Sequence, residues 1–120
     1  LRVVCDEVLT PTFTEDLSEQ IRVLIDTEPP YGIYHATNAG VCSWYEFAKT
    51  IFELSGMDID LGQTTAAEWN APAKRPANSV LENNALSLAG IDVMPHWQGA
   101  LKRYLAKKTK GSDDVTVRGT

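Results

Sequence analysis

The chain has 120 residues, of which 43% are hydrophobic and 22% are charged, as expected for one globular domain with a modest core. Its formal net charge of −5 argues against a general attraction to nucleic acid or to anionic lipid. It contains no apolar run near the roughly 18 residues that span a bilayer, and its opening lacks the pattern of a signal peptide.

The first half of the chain predicts a strand, a helix and a second strand. "LRVVCD" is typical of a buried strand, and Thr12 or Thr14 is the expected N-cap of the helix that follows. Pro29 and Pro30 cannot continue this helix, and the alternating "IYHATN" then predicts a strand. The helix should bury an apolar stripe formed by Leu17, Ile21, Leu24 and Ile25.

Two capping boxes organise the middle of the chain. Ser43 with Glu46 predicts a helix that ends near Gly56, and Thr65 with Glu68 predicts a short helix through Trp69. Between them, "MDIDLGQ" is typical of a short strand.

The last third begins with a polar loop, "NAPAKRPANS". A short helix closed by Gly90 and a longer one after Pro95 should follow, and from Thr109 the tail is polar and aperiodic. We therefore expect a helix-rich α+β domain at residues 1–108 and a disordered tail at 109–120. Strand and helix do not alternate as a complete doubly wound sheet requires, which predicts that part of the fold is missing.

The cysteines and histidines do not predict a metal site. Cys5 and Cys42 lie among apolar residues, as reduced thiols do, and with His35 and His96 they are scattered singly. A reducing, cytoplasmic compartment is the expectation. The start at Leu1 rather than Met indicates a fragment or a processed product.

Tyr45 and Lys49 have the Tyr-x-x-x-Lys spacing of short-chain dehydrogenases, in which a lysine one helical turn away activates a tyrosine as a proton donor. The same spacing recurs at Tyr104 and Lys108, and no glycine-rich turn joins a strand to a helix. We therefore interpret Tyr45 and Lys49 as ordinary residues of a surface helix, and expect no catalytic residue in this chain.

Two loops carry candidate ligand-binding residues. In "AKRPANS", Arg75 offers a planar set of donors suited to phosphate, and Asn78 and Ser79 can bind a sugar or a base. In "CDEVLTPT", Asp6 and Thr12 lie at a helix start, where either anion binding or simple capping is consistent with the residues. The three tryptophans, Trp44, Trp69 and Trp97, are expected in the core or at an interface rather than as platforms for nucleic-acid bases.

The order of four segments resembles the carboxy-terminal part of dTDP-4-dehydrorhamnose reductases, which are extended short-chain dehydrogenases. The segments are "VVCDEVLTPTFTEDL", "YGIYHATNAGVCSWYEFAKTIFELSG", "PAKRPANSVLENNAL" and "MPHWQGALKRYL". The resemblance covers roughly the first 107 residues. It implies that this chain is the sugar-nucleotide-binding lobe of a Rossmann-type α/β parent.

The resemblance also implies a reaction for the parent protein. With NADPH or NADH it would reduce dTDP-4-dehydro-6-deoxy-L-mannose to dTDP-L-rhamnose, a donor for bacterial polysaccharides. The family's glycine-rich turn and its catalytic Tyr-x-x-x-Lys pair lie in the dinucleotide-binding domain. This chain alone is therefore expected to bind no cofactor and to be inactive. The alternative is a non-catalytic sugar-nucleotide-binding or regulatory subunit with a reductase-like fold.

The resemblance assigns Arg75, Asn78 and Ser79 to the substrate side, together with Asp6 and Thr12 of the family's "DQxGxPT" loop. Here that loop reads "DEVLTPT", so Glu7 stands where the family has a polar neutral residue and Leu9 where it has a glycine. Leucine does not readily adopt positive φ, which predicts a different path for this loop. The expected partners are a dTDP-sugar, the missing dinucleotide-binding domain and, through exposed apolar surface, further copies of the chain.

Overall fold

The computed structural model describes residues 1–115, with side chains through residue 109. The described chain mixes helices with short strands, in agreement with the predicted α+β class. The elements in chain order are β1 (Arg2–Val4), β2 (Val8–Leu9), α1 (Thr14–Thr27), β3 (Cys42–Ser43), α2 (Trp44–Leu54), β4 (Gly62–Thr64), α3 (Ala66–Trp69), α4 (Asn84–Leu88) and α5 (Trp97–Val115).

The strands form two separate pairs. β1 pairs in parallel with β4, with Val3 opposite Gln63, so only the end of the predicted "MDIDLGQ" strand extends into a ladder. β2 pairs antiparallel with β3, with Val8 opposite Ser43. Leu9 is therefore part of a strand and not of a turn with positive φ, as its side chain predicts.

The N-cap bond of each predicted capping box is confirmed, whereas the reciprocal bond from the N-cap N–H to the glutamate carboxylate is not found at either site among the described residues. The Ser43 hydroxyl accepts from the Glu46 N–H at 3.1 Å, and the Thr65 hydroxyl accepts from the Glu68 N–H at 3.2 Å. Each bond satisfies a backbone donor that the first helical turn leaves free. The caps fix where α2 and α3 begin, and with them the direction of Trp44 and Trp69 at the helix ends.

The predicted threonine cap of α1 is wrong. Phe13 occupies the N-cap position, and its N–H donates to the side-chain Oδ1 of Asn38 at 2.7 Å. The Thr12 hydroxyl instead accepts from the Asn38 N–H at 3.3 Å. A residue 25 positions away thus supplies the cap, which a local pattern cannot reveal.

The predicted apolar stripe of α1 is only partly buried, because Leu17 and Leu24 are half-buried and the two isoleucines are exposed. Ile21 and Ile25 are 47% and 69% exposed, whereas Asp16 and Gln20 are buried. The Gln20 amide donates to the Ile91 carbonyl and accepts from the Val93 N–H, both at 2.9 Å. Side-chain hydrogen bonds therefore attach this helix to the domain, and the exposed isoleucines are consistent with the predicted self-association, which stays a prediction.

Asp16 joins α1 to α5 through a charged contact. Its Oδ2 accepts from the Arg103 guanidinium at 2.7 Å and from the Asn38 amide at 2.9 Å. The hydrogen bond from Arg103 lowers the pKa of the Asp16 carboxyl, an effect that burial opposes and Asn38 reinforces. Asn38 is 1% exposed and Asp16 is buried, so the cluster joins the interior to the half-exposed guanidinium of Arg103.

The predicted strand "IYHATN" is wrong. Outside the named strands, Ala39 forms a single bridge with His96, and the preceding residues form no ladder. The Asn83 side chain instead accepts from the Thr37 N–H at 2.9 Å and donates to the Thr37 carbonyl at 2.7 Å. The Asn83 amide thus makes the backbone hydrogen bonds that a neighbouring strand would otherwise make. Ile33, at the start of this segment, is 83% exposed.

The core lies between α2 and α5. Cys42, Trp97 and Leu101 are buried in one cluster, against which Phe47, Ile51 and Leu105 pack. Burial raises the pKa of the Cys42 thiol to about 11, and both Cys42 and Cys5 are free thiols, as predicted. Among the described residues no group of acids, cysteines and histidines could hold a metal ion, and none of the described helices could cross a membrane.

The last helix extends into the predicted tail. α5 continues through Val115, whereas the sequence predicts irregular chain from Thr109. Residues 116–120 lie outside the described residues, so disorder of the tail stays a prediction.

Candidate functional site

An open cleft with a volume of about 1270 Å³ lies beside β1, β2 and α3. Segments that are far apart in the chain form its walls: residues 1–9, the start of α2 at Trp44, and residues 66–79. Its volume lies somewhat above the roughly 300–1,000 Å³ of typical small-molecule sites, so a ligand the size of a nucleotide-sugar has room in it. The cleft is therefore the candidate ligand site.

The loop "AKRPANS" is fixed to the opposite wall by main-chain hydrogen bonds. The Val8 N–H donates to the Ala77 carbonyl at 2.8 Å, and the Ser79 N–H donates to the Val8 carbonyl at 3.0 Å. These bonds make a parallel bridge between Val8 and Asn78. The loop has no helix or strand of its own, yet its carboxy-terminal end is held at a defined position beside β2.

Arg75 and Lys74 line the cleft from this loop. Both are exposed, and no other side chain within residues 1–109 forms an ion pair or hydrogen bond with either of them. Arg2 also lines the cleft, but its guanidinium contacts Glu68 at 3.1 Å and the Gln63 carbonyl. Arg75 and Lys74 are therefore the cationic groups free to receive an anionic ligand.

Asp6 and Ser79, two further predicted site residues, also line the cleft. One Asp6 oxygen accepts from the Ala66 N–H at 2.9 Å and so supports the start of α3. The Ser79 hydroxyl lies 3.4 Å from the Val8 carbonyl, a long hydrogen bond that a ligand could replace. Asp6 can therefore both support the start of α3 and contact a ligand, because its second oxygen remains unused by the described residues.

Asn78 and Thr12 do not line this cleft. The Asn78 side-chain oxygen accepts from the Val80 N–H at 2.9 Å, which closes a local turn. The Thr12 hydroxyl donates to the Thr10 carbonyl at 3.3 Å and, as described above, accepts from the Asn38 N–H. Each has a structural role in the described chain, and contact of either with a ligand stays a prediction.

Two tryptophans lie at the cleft, which the sequence did not predict. Trp44 is 45% exposed and Trp69 is 62% exposed, and both line the cleft, whereas Trp97 is 3% exposed and belongs to the core, as expected. Such exposure of large aromatic surface beside free cations is typical of sites for ligands with a flat, apolar part. The sequence did contain a signal for this position. Each tryptophan lies next to a predicted capping box, so Trp44 begins a helix and Trp69 ends one.

Tyr45 and Lys49 are placed away from the cleft lining. The Lys49 ammonium lies 4.0 Å from the Glu53 carboxylate, an exposed pair on the helix surface. Helical periodicity alone accounts for the spacing of the pair, and the absence of a catalytic role stays a prediction.

Comparisons with known proteins agree on one family. Residues 1–110 match the family described as the RmlD substrate binding domain. The spore coat polysaccharide biosynthesis protein SpsK of Bacillus subtilis is 43% identical over 113 residues, which are 94% of this chain and 39% of that protein.

Two solved structures share the fold. A crystal structure of a dTDP-4-dehydrorhamnose reductase from Clostridium acetobutylicum has a TM-score of 0.87 and 43% identity, over 91% of this chain and 39% of that one. The reductase from Bacillus anthracis, in complex with NADP, has a TM-score of 0.84 and 39% identity, over 89% of this chain and 38% of that one. This chain therefore spans about two fifths of the length of these relatives, and it belongs to the RmlD substrate-binding domain family, as its four ordered motifs predicted.

Proposed function

We propose that this chain is the sugar-nucleotide-binding domain of a dTDP-4-dehydrorhamnose reductase. The whole protein would reduce dTDP-4-dehydro-6-deoxy-L-mannose to dTDP-L-rhamnose with NADPH or NADH. Family membership supports the substrate class. The observation that carries the proposal is the cleft itself, where the free guanidinium of Arg75 and the exposed indole of Trp69 line the same space.

Different residues of the cleft would contact the diphosphate, the sugar and the thymine ring of the ligand. Arg75 would hold the diphosphate through its planar donors, and Lys74 would add charge without a fixed geometry. At the sugar, the Ser79 hydroxyl would donate or accept a hydrogen bond, and the free oxygen of Asp6 would accept one. The indoles of Trp44 and Trp69 offer flat apolar surface for the thymine ring.

The described residues lack the turn that a site for NADP requires. In the described residues, β2 leads to α1 through a loop without glycine, β3 runs directly into α2, and β4 reaches α3 through Thr65 alone. A dinucleotide site needs a glycine-rich turn between a strand and a helix. We therefore propose that the hydride donor and the proton donor belong to a separate domain, and that this chain binds substrate without converting it.

Intrinsic fluorescence tests the binding proposal directly. Titration of the 120-residue chain with dTDP and with dTDP-L-rhamnose is expected to quench the emission of Trp44 and Trp69 in a saturable way. Trp97 serves as an internal reference because it is buried. Trp69→Phe should reduce the amplitude of quenching, and Trp97→Phe should leave it unchanged. Absence of quenching by either ligand, together with no heat of binding in calorimetry, would contradict the proposal.

Turnover is tested separately. NADPH and the keto-sugar nucleotide are expected to remain unchanged in the presence of the 120-residue chain, because it lacks a place for the hydride donor. Oxidation of NADPH by this chain would overturn the proposal that the hydride donor and the proton donor belong to a separate domain. A whole protein that binds dTDP but never reduces the keto-sugar would instead favour the non-catalytic subunit.

Tyr45→Phe, made in the whole reductase, is expected to change kcat/KM by less than about twofold, since Tyr45 lies outside the cleft lining and Lys49 pairs with Glu53. Tyr104→Phe is the matched control, because Tyr104 and Lys108 repeat the same spacing on α5. A loss of about a thousandfold at Tyr45 alone would identify it as the proton donor.

A further inference from the structure

Glu7 is an acid at the cleft whose side chain has no partner among the described residues. It is 9% exposed and lines the cleft, yet within residues 1–109 no hydrogen bond or ion pair reaches its side chain. Removing a carboxylate from most of its water is unfavourable unless donors replace that water. Glu7 therefore lies where a ligand with hydrogen-bond donors would be stabilised.

The carboxylate of Glu7 remains accessible despite its burial. No fully buried side-chain oxygen among the described residues lacks a hydrogen-bond partner. Since Glu7 has no partner, its oxygens must keep some contact with solvent, and the cleft that Glu7 lines offers that access. The side chain is thus held by its surroundings while its acceptor atoms stay available.

Two neighbouring acids differ from Glu7: Asp6, which also lines the cleft, and Glu68, which is not among its lining residues. Asp6 accepts the Ala66 N–H, and Glu68 contacts both Arg2 and the Thr64 hydroxyl. Each of these two carboxylates accepts at least one hydrogen bond that supports the fold, and the second oxygen of Asp6 is left unused by the described residues. Glu7 is the acid in the described cleft lining whose carboxylate has no such use.

We propose that Glu7 binds the hydroxyl groups of the hexose, an assignment that rests on the proposed function of the cleft. A carboxylate can only accept, and its charge repels a diphosphate. The single N–H of thymine lies between two carbonyl oxygens, which a carboxylate would also repel. Adjacent sugar hydroxyls are paired donors without these neighbours, and carboxylates recognise vicinal diols in this way at dinucleotide sites. Glu7 selects for a hydroxylated sugar, while Arg75 and Lys74 hold the diphosphate.

Calorimetric titration of the 120-residue chain with two probes, dTDP-L-rhamnose and dTDP, tests this assignment. Glu7→Ala is expected to raise the Kd of dTDP-L-rhamnose by about tenfold and that of dTDP by less than about twofold, because only the first probe carries the hexose. Glu7→Gln, which keeps the shape and one acceptor and places an amide where the family has a neutral residue, should cause a smaller loss. Glu82→Ala and Glu82→Gln are matched controls, since Glu82 is exposed and outside the cleft lining.

The outcomes separate this inference from the proposed function. If wild type binds both probes and Glu7→Ala weakens neither, or weakens both equally, the hexose contact is overturned while nucleotide binding stands. If wild type binds neither probe, the function of the cleft and the role of Glu7 are both overturned. Urea denaturation of each variant shows whether it is folded, and Glu7→Gln supplies the comparison if Glu7→Ala is not.

Discussion

Arg75→Ala is expected to weaken the binding of dTDP about 30-fold, which corresponds to about 2 kcal/mol for a lost charge-assisted contact. Arg75 lines the cleft and has no partner within residues 1–109, so its donors are free for phosphate. Removing the side chain leaves the fold intact, because no described hydrogen bond depends on it. The loss should therefore be a loss of affinity alone.

Comparison of ligands locates the effect at the diphosphate. Arg75→Ala should weaken dTDP strongly and thymidine hardly at all, because thymidine carries no phosphate. Arg75→Lys should recover only part of the affinity, since an ammonium keeps the charge but loses the planar pair of donors. Lys102→Ala removes the same charge from exposed surface on α5, outside the cleft, and is the matched control.

Salt provides an independent measurement for the same contact. The affinity of wild type for dTDP should fall with ionic strength, and that of Arg75→Ala should fall less steeply, because one charge pair fewer is screened. Equal affinities of wild type and Arg75→Ala for dTDP at low salt would contradict the role assigned to Arg75.

Asp16→Ala is expected to lower the free energy of unfolding by about 2–3 kcal/mol, because it leaves the buried Asn38 amide with one partner fewer and removes the pair with Arg103. The value is below that of a fully buried pair, since the Arg103 side chain is 47% exposed and water screens it. Urea denaturation at neutral pH measures the loss. Glu15→Ala is the matched control: its pair with Lys107 is exposed on both sides and should contribute no more than about 0.5 kcal/mol.

The contribution of Asp16 should depend on pH in one direction. Its folded pKa lies below the ordinary value of 3.8, with the hydrogen bond from Arg103 as the main cause. Stability from the ionised carboxylate is therefore fully present above pH 3.8 and is lost as pH falls through the lower folded pKa. The difference in unfolding free energy between wild type and Asp16→Asn should shrink across this acid range. A difference that stays constant from neutral pH to below pH 3 would contradict the linkage.

The parts of the fold that local pattern predicts correctly are those in which the partners are close in sequence. Ser43 and Glu46, or Thr65 and Glu68, lie within one helical turn, so the capping bonds follow from residue type and spacing. The cap of α1 fails as a local prediction because Asn38 supplies it from 25 positions away. The strand "IYHATN" fails because a strand needs a neighbour, and the Asn83 side chain occupies that role here.

The sequence by itself determined the family and the helix starts of α2 and α3, and it predicted Arg75 as a phosphate-binding residue. These depend on motif order and on chemistry that each residue carries alone. Only the tertiary structure decided which candidate binding residues line the same cleft. It brings Asp6, Arg75 and Ser79 to the cleft with Trp69. It leaves Thr12 and Asn78 in local turns. It also decided that Glu7 is enclosed without a partner. Burial and the absence of a partner depend on segments some 60 residues apart folding against one another, which spacing along the chain cannot express.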